Sequence, residues 1–392
     1  MEPGSLHDHD HDHRILAVGD EFVRTDLLVR ALRDRIGAGP RIQELALDWP
    51  TTPWGDVAEV TEAAGDEDTM IDALAGVHAV VTHLAPFTER VFAGAHDLRL
   101  VVVSRGGPVN VNLTAATEAG VTVCYAPGRN AQAAAEFAVG LLLATCRNIA
   151  AGCAELRSGS WPDHYFRYDS AGFELHGSTV GLVGYGAIGR IVARILTAFG
   201  AHVLAYDPVA PANAFGPEVE RVDVLADLLA RSRAVSLHAR LTPETTHLIG
   251  AAELAAMPED AVLVNTARGG LLDYDALCDA LDSGHLAASG LDVYPAEPLP
   301  PDSRLFTTRG IVMAPHIAGC SREVAERAAR ICADEVGRWL AGEPPRHCPN
   351  PDVLGAATGA ISATTSVTRA ARPRGSTPMV ASARARPTPH RS

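Results

Sequence analysis

Short apolar segments alternate with helical ones along most of this chain, and this alternation limits the fold more strongly than any other feature. Segments such as RILAVGD, LRLVVVS and TVGLV have the length and composition of buried strands. Stretches with helical spacing, such as TDLLVRALRDRI, lie between them. A repeated β–α order predicts parallel sheets, and 392 residues are enough for two such domains.

The expected organisation is two α/β domains, each built on a parallel sheet, with a cleft between them. We assign residues 14–125 and 318–348 to the first domain and residues 126–317 to the second. The apolar stretch that begins at Asn130 predicts one helix of roughly thirty residues, long enough to cross between the domains.

Both ends of the chain are expected to be disordered. Residues 1–13 contain HDHDHDH, which could bind a divalent metal weakly if extended, although a disordered tract is the favoured interpretation. Residues 351–392 are rich in Ala, Ser, Thr, Arg and Pro without an apolar period. We expect no signal peptide at the N-terminus and no regulatory domain after residue 350.

Charge and residue usage exclude several classes of protein. The net charge of −14 disfavours nucleic acid and anionic membrane as partners, and no apolar run is long enough to predict a membrane span. All 33 basic residues are arginine, which excludes a pyridoxal-phosphate Schiff base, a Walker A loop and a kinase strand lysine. The seven cysteines form no CxxC pair, so we expect free thiols, no metal site and a cytoplasmic protein.

The segment VGLVGYGAIGR has the spacing G-x-G-x-x-G between a predicted strand and a predicted helix. The first glycine permits a tight turn, the second lets the backbone approach a pyrophosphate, and the third allows close packing of helix on strand. Asp207 ends the next strand, where a carboxylate binds the ribose 2′-hydroxyl and repels a 2′-phosphate. The sequence therefore predicts an NAD site formed by Asp207 and the loop residues Gly184, Tyr185, Gly186, Ala187, Ile188 and Gly189.

Polar residues also stand at the ends of three later predicted strands: Arg268, Asp292 with Glu297, and His316. Their side chains suit hydride transfer at a 2-keto or 2-hydroxy acid. A guanidinium can bind a carboxylate or carbonyl, an imidazole can move a proton, and a neighbouring carboxylate can orient that imidazole. Taken singly, each residue has a structural alternative as a helix cap, a turn residue or a buried histidine.

In order and approximate spacing, GLVGYGAIGR…YDP, VNTARGGLLD, GLDVYPAEPLP and APHIAG resemble the D-isomer-specific 2-hydroxyacid dehydrogenase family, which includes phosphoglycerate dehydrogenase and glyoxylate/hydroxypyruvate reductases. The resemblance covers residues 14–345. It implies a flavodoxin-like substrate domain, a Rossmann-like NAD-binding domain and a homodimeric NAD-dependent oxidoreductase acting on a small D-2-hydroxy or 2-keto acid.

The same resemblance implies roles for individual residues. Arg268 would bind substrate, His316 would be the acid/base, and Glu297 would pair with His316. Asp292 would hold the nicotinamide carboxamide, and the cofactor cleft would be lined by His238, Thr266 and Ala267.

The segment SRGGPVNVN departs from the glycine-rich substrate turn that is usual in the family. Gly106 and Gly107 can still present N–H groups to a substrate carboxylate, but Arg105 stands where a glycine is usual. We hypothesise that Arg105 or Arg129 binds a second anionic group such as a phosphate or phosphonate; solvated or salt-bridged arginines are the competing interpretation. His83, in VTHLAP, is a weaker candidate for the same cleft.

Two other functions stay open on the sequence. A dehydrogenase of the formate or phosphite type would use the same arginine and histidine on a one-centre substrate. A corepressor-like scaffold that senses NAD would share the fold and turn over little substrate. An NADH oxidation screen with several 2-keto acids separates these alternatives.

Overall fold

The protein, seen here in a computed structural model that describes residues 13–50 and 55–354, contains two parallel sheets. Strands β1 to β5 form the first sheet: Arg14–Gly19, Arg41–Ala46, Ala79–Thr82, Leu100–Val103 and Thr122–Tyr125. Strands β6 to β12 form the second: Thr179–Val183, His202–Tyr206, Val219–Arg221, Ala234–Leu237, Ala261–Asn265, Leu286–Leu291 and Ile311–Met313. Helices α1 to α11 are Thr25–Ile36, Glu67–Ala73, Glu89–Gly94, Leu113–Glu118, Ala131–Cys146, Ile149–Arg157, Ala187–Ala198, Leu225–Arg231, Ala251–Ala256, Tyr274–Asp282 and Arg322–Leu340.

The first sheet has the strand order β2-β1-β3-β4-β5, with every neighbouring pair parallel. Every residue of β3 and β4 is buried, because helices cover both faces of the sheet. The order reverses between β1 and β3, and ligands of such sheets bind beyond the carboxyl ends of the strands at this switch point. This is the flavodoxin-like arrangement, so the fold predicted for the first domain is confirmed.

The second sheet has the order β12-β11-β10-β9-β6-β7-β8 and is also parallel throughout. Its order reverses between β6 and β9, which confirms the Rossmann-like prediction. Two apolar clusters cover its faces. One contains Leu228, Leu263 and Leu277, and the other contains Leu182, Leu196 and Val264.

Helix α11 returns the chain to the first sheet and packs against α1. The apolar cluster that they share contains Ile15, Leu28, Ala329 and Cys332. The chain therefore crosses between the sheets twice, before α5 and before α11, and the two crossings are in contact. Arg327 Nη1 donates to Arg129 O at 2.5 Å, and a Cβ on Gly319 would lie 2.8 Å from Asn130 Nδ2.

The single helix predicted from Asn130 is wrong, because the structure has two helices there with a 65° bend between them. Helix α5 ends at Cys146, whose carbonyl oxygen accepts the N–H of Phe173 at 3.0 Å. Asn148 then has φ +56°, a left-handed conformation that stops a right-handed helix. The hydrogen bond from residue 173 thus takes the place of the bond that this carbonyl would form in a further helical turn.

Within the described ranges, no single helix is long and apolar enough to cross a membrane. Taken together, the bent pair α5–α6 is long and apolar enough to cross a membrane, by length and composition alone. Nine residues of α5 are buried, and the helix packs on α7, β10 and β11, as a core helix of the second domain does.

The structure also moves the predicted boundaries of both tails. His13, assigned to the disordered N-terminus, is described, and its ring centroid lies 5.0 Å from that of Trp339. Residues 351–354 form a turn and a short helical segment in which Val353 is buried, so the C-terminal tail does not begin at residue 351. The remaining predicted disorder, in residues 1–12 and 355–392, lies outside the described residues.

Candidate active site

The glycine-rich loop has the shape that a dinucleotide phosphate site requires. Gly184 has φ +100°, and a Cβ there would lie 2.6 Å from Ala239 N. A Cβ on Gly189 would lie 2.3 Å from Gly184 O, whereas one on Gly186 would meet nothing within 4 Å. The first and third glycines therefore allow the turn and the close packing of α7. The second leaves open space before the helix N-terminus, where anions bind.

Asp207 is held at the carboxyl end of β7 by backbone N–H groups. Its Oδ2 accepts from Tyr185 at 2.8 Å, and its Oδ1 accepts from Val209 and Ala210 at 3.0 Å each. The buried Tyr185 ring stacks on Phe215 with centroids 4.6 Å apart. These contacts orient the carboxylate beside the phosphate loop, where the sequence predicts a ribose hydroxyl.

His238 and Thr266 follow β9 and β10, next to the switch point of the second sheet. His238 Nε2 and Thr266 Oγ1 are buried and have no hydrogen-bond partner among the described residues. Burial lowers the pKa of His238 to about 4, so its ring is neutral at pH 7. Unpartnered buried polar atoms are costly unless a ligand binds them. Both residues, and the neighbouring Ala267, therefore fit a bound nicotinamide cofactor.

His316 and Glu297 form a direct pair after β12 and β11. His316 Nδ1 lies 2.5 Å from Glu297 Oε2, while Glu297 Oε1 accepts the N–H of Tyr294 at 2.9 Å. Burial raises the pKa of the Glu297 carboxyl, but the hydrogen bond and charge of His316 lower it by more, so the pKa lies below its ordinary value. The carboxylate is thus ionised and contacts Nδ1 of the imidazole.

Asp292 holds the backbone that carries His316. Its two carboxylate oxygens accept the N–H groups of Ile317 and Ala318 at 2.8 Å each, and its side chain is fully buried. Burial raises the pKa of Asp292, although the two N–H donors oppose that shift. His316 has φ +55°, which non-glycine residues rarely adopt. Asp292 therefore has a positioning role that the resemblance did not predict, beside the predicted contact with the nicotinamide.

Arg268 follows β10 and is exposed, and its Nη1 donates to Ala267 O at 2.7 Å. Its charge contributes to lowering the pKa of Glu297 in the same domain. It also contributes to lowering the pKa of Arg105 in the first domain. Arg268 is thus close enough to Glu297 and to Arg105 for its charge to act on both.

The first-domain side of the cleft carries the glycine turn and two arginines. A Cβ on Gly106 or Gly107 would meet nothing within 4 Å, so open space adjoins both Cα atoms. Arg105 is buried, forms an ion pair with Glu62, and donates from Nη1 to Glu62 O at 3.2 Å. Burial and the charges of Arg129 and Arg268 lower the pKa of Arg105 to about 10.

Sequence reasoning missed Asp20, which follows β1 and contacts His83 after β3. Asp20 Oδ2 lies 2.6 Å from His83 Nδ1, and both side chains are buried. The two residues flank the switch point of the first sheet. Applying the rule of strand carboxyl ends to GDEF, as it was applied to the second domain, would have found Asp20. Glu62 gave no such indication, because it follows no strand.

All seven cysteines lie in the described ranges and are free thiols. Across those ranges, no group of three or more His, Cys, Asp or Glu side chains is arranged to hold a metal ion.

Comparison with known proteins points to one family. The model of the D-isomer specific 2-hydroxyacid dehydrogenase NAD binding domain matches residues 139–318. The chain is 37% identical over 296 residues to a glyoxylate reductase of Korarchaeum cryptofilum, covering 75% of this chain and 89% of that protein. It is 42% identical over 292 residues to a D-3-phosphoglycerate dehydrogenase of Mycobacterium tuberculosis, covering 74% of this chain and 54% of that protein. The chain thus spans about half the length of such phosphoglycerate dehydrogenases.

A solved structure agrees with these sequence matches. The TT0316 protein from Thermus thermophilus superposes with a TM-score of 0.70 at 32% identity, covering 86% of this chain and 99% of that one. The two-sheet architecture is therefore shared over nearly the whole of that protein. The family model that matches residues 139–318 describes an NAD binding domain, so NAD is the cofactor of the second domain.

Replacing Gly189 with Ala is expected to weaken NADH binding by at least about tenfold. Alanine favours helix over glycine, so a loss must come from the added Cβ, which would lie 2.3 Å from Gly184 O. Quenching of protein fluorescence by NADH measures the Kd. Gly216→Ala is the matched control, because a Cβ there meets nothing within 4 Å. Unchanged affinity in Gly189→Ala would contradict the assignment of this loop.

Replacing Glu297 with Gln should lower the free energy of unfolding at pH 7 by about 1.5 kcal/mol, the value of a hydrogen bond to a charged group. The pKa of Glu297 is lowered in the folded state. Its stabilisation is therefore present above the unfolded value and is lost as pH falls through the folded value. Urea unfolding of both proteins between pH 7 and pH 3 measures the difference. The exposed Glu259→Gln serves as control; a difference that grows toward low pH would refute the argument.

Proposed function

The chain belongs to the D-isomer-specific 2-hydroxyacid dehydrogenase family, and on that premise we propose that it transfers a hydride between NAD and C2 of a small D-2-hydroxy or 2-keto acid. The observation that carries the proposal is the 2.5 Å pair of His316 and Glu297, beside Arg268. An acid/base pair, a cation for the substrate and an NAD-binding domain are the parts that this reaction needs.

In the direction of reduction, His316 is the proton donor. Bound NADH supplies the hydride from the nicotinamide C4. As the C2 carbonyl oxygen gains negative charge, the protonated His316 gives it the proton on Nε2 and becomes neutral. Glu297 stabilises the protonated imidazole and fixes its orientation through Nδ1. In the oxidative direction the neutral imidazole takes the hydroxyl proton back.

Arg268, Gly106 and Gly107 are proposed to bind the substrate from opposite sides of the cleft. The Arg268 guanidinium can donate to both the carboxylate and the ketone oxygen, and so polarise the carbonyl. The two glycine N–H groups can donate to the carboxylate oxygens, and open space adjoins both Cα atoms. Arg105 and Arg129 complete this side of the cleft. Asp292 keeps the His316 backbone in place and is proposed to contact the nicotinamide carboxamide as well.

Replacing His316 with Ala should lower kcat/KM by at least about 100-fold, because general acid catalysis contributes that much or more. NADH oxidation is followed at 340 nm with glyoxylate, hydroxypyruvate, phosphohydroxypyruvate, pyruvate and longer 2-keto acids. Turnover with at least one of them is expected in the wild type. The exposed His96→Ala is the control for loss of a histidine. Robust turnover in His316→Ala, or none in the wild type with any 2-keto acid, counts against the proposal.

A homodimer is proposed to form through the segment from α6 to residue 168. Five large apolar side chains in it are exposed: Ile149, Leu156, Trp161, Phe166 and Tyr168. Phe166 and Tyr168 are 85% and 96% exposed, and such a concentration of apolar surface is typical of an interface. Helix α5, which begins after Asn130, is largely buried in its own domain. Because all seven cysteines are free thiols, we also propose that the enzyme works in the reducing cytoplasm.

The double change Trp161→Ser with Phe166→Ser is expected to convert the dimer to a monomer, because it removes two apolar anchors from the interface. Light scattering after size exclusion gives the mass of each protein. Phe306→Ser is the matched control, since Phe306 is also exposed, at 56%, but lies outside the segment. A monomeric wild type, or a double variant that stays dimeric, would rule this interface out.

A further inference from the structure

We propose that the substrate carries a second anionic group, a few bonds from its 2-keto acid end, and that Arg129 binds that group. This inference rests on the proposed function and narrows its substrate class to dianionic 2-keto or 2-hydroxy acids. The second group is a phosphate, phosphonate, sulfonate or carboxylate, which share the chemistry that a guanidinium recognises.

The first observation is a desolvated positive charge that no carboxylate in the described ranges contacts directly, although the charge of Asp20 acts on it from behind His83. Arg129 Nε and Nη1 are buried and have no hydrogen-bond partner among the described residues. Its Nη2 faces a neutral ring nitrogen, His83 Nε2, at 3.4 Å. No carboxylate in the described ranges forms an ion pair with Arg129. A buried guanidinium is costly unless an anion compensates it.

The second observation distinguishes Arg129 from Arg105. Arg105 is neutralised within the protein by its ion pair with Glu62. The Arg105 carbonyl accepts the N–H of Ala126 at 2.8 Å, so its loop braces the segment that leads to Arg129. The second anion therefore binds Arg129, and Arg105 supports the segment that leads to it.

The third observation is the chain of contacts that fixes Arg129 without neutralising it. Asp20 Oδ1 accepts the N–H groups of Phe22 and Val23 at 2.8 and 2.9 Å, and its Oδ2 lies 2.6 Å from His83 Nδ1. Burial lowers the pKa of His83, although Asp20 opposes that shift. The ring is thus neutral, donates from Nδ1 to Asp20 and presents its Nε2 lone pair to Arg129.

The Arg129 guanidinium is also held from its face and from its backbone. Its Cζ lies 5.8 Å from the centroid of the Phe22 ring, within range of a cation–π contact. Its carbonyl oxygen accepts from Arg327 Nη1 at 2.5 Å. A long side chain that is fixed at both ends has lost its conformational entropy before any ligand arrives, which favours tight binding.

The position in the first sheet limits how long the substrate is. Gly106 and Gly107 follow β4, and Arg129 follows the adjacent strand β5. Adjacent strands lie about 4.8 Å apart. An acid whose carboxylate lies at the glycine turn therefore reaches Arg129 with its second anionic group when only a few bonds separate the two groups.

The test compares pairs of 2-keto acids that differ in the second anionic group. The pairs are 2-ketobutyrate with oxaloacetate, pyruvate with sulfopyruvate, and hydroxypyruvate with phosphohydroxypyruvate. The wild type is expected to favour the dianionic member of at least one pair by about tenfold or more in kcat/KM. Which pair shows the preference identifies the carboxylate, sulfonate or phosphate. No preference in any pair would overturn the inference.

Arg129→Gln is expected to lower the dianion-to-monoanion ratio of kcat/KM by at least about tenfold, chiefly through KM for the dianion. Arg129→Lys should retain part of the preference, because it keeps the charge. Arg41→Gln removes the same charge from an exposed position of β2 and should leave the ratio unchanged. Equal losses for both members of a pair in Arg129→Gln would refute the role. If that variant does not fold, the wild-type comparison alone decides.

Asp20→Asn tests the positioning chain. It should raise KM for the dianion more than KM for the monoanion, with kcat for the dianion less affected than KM, because Asp20 acts through His83 on Arg129. A fall in kcat with both substrates and no change in their KM ratio would refute this role. Failure of the inference is distinguishable from failure of the proposed function. Turnover of monoanions without dianion preference removes only the inference, whereas no turnover of any 2-keto acid removes both.

Discussion

The buried carboxylate of Asp292 accepts two successive backbone N–H groups, those of Ile317 and Ala318, and the geometry of the second-domain site depends on this interaction. His316, the preceding residue, has a left-handed backbone that carries an energetic cost for a side chain with a Cβ. The two hydrogen bonds offset that cost. They also satisfy a carboxylate that would otherwise be expensive to bury. Because these bonds are to the backbone, they do not involve the imidazole, whose Nδ1 contacts Glu297.

Charge is distributed unequally over an acidic protein. The chain has a net charge of −14. Arg129 and Arg268 are nevertheless close enough to Arg105 for their positive charges to lower its pKa. An acidic surface repels polyanions such as nucleic acid, whereas positive charges inside a cleft attract small anions. The three guanidinium groups also repel one another, and this repulsion opposes folding. An anion bound among them would reduce that repulsion.

Local pattern predicted both sheets and the second-domain residues, because each of these depends on short segments of sequence. Parallel strands bring their carboxyl ends to one edge, so Arg268, Asp292 and His316 could be placed together without coordinates. The break at Asn148 depends on a contact from Phe173, which no helical periodicity contains. The bonds of Arg105 to Glu62 and of Asp20 to His83 likewise join distant segments.

The two crossings between the domains meet at Gly319 and Asn130, and Arg327 of α11 donates to Arg129 O beside them. Two connecting segments in contact resist twisting and sliding of the domains more than a single linker does. Bending is therefore the relative motion of the two domains that this connection permits most easily. Arg129 lies on one of these connecting segments, and His316 lies on the other. The angle between the domains therefore sets the distance between Arg129 and His316, and a ligand in contact with both residues would fix that angle.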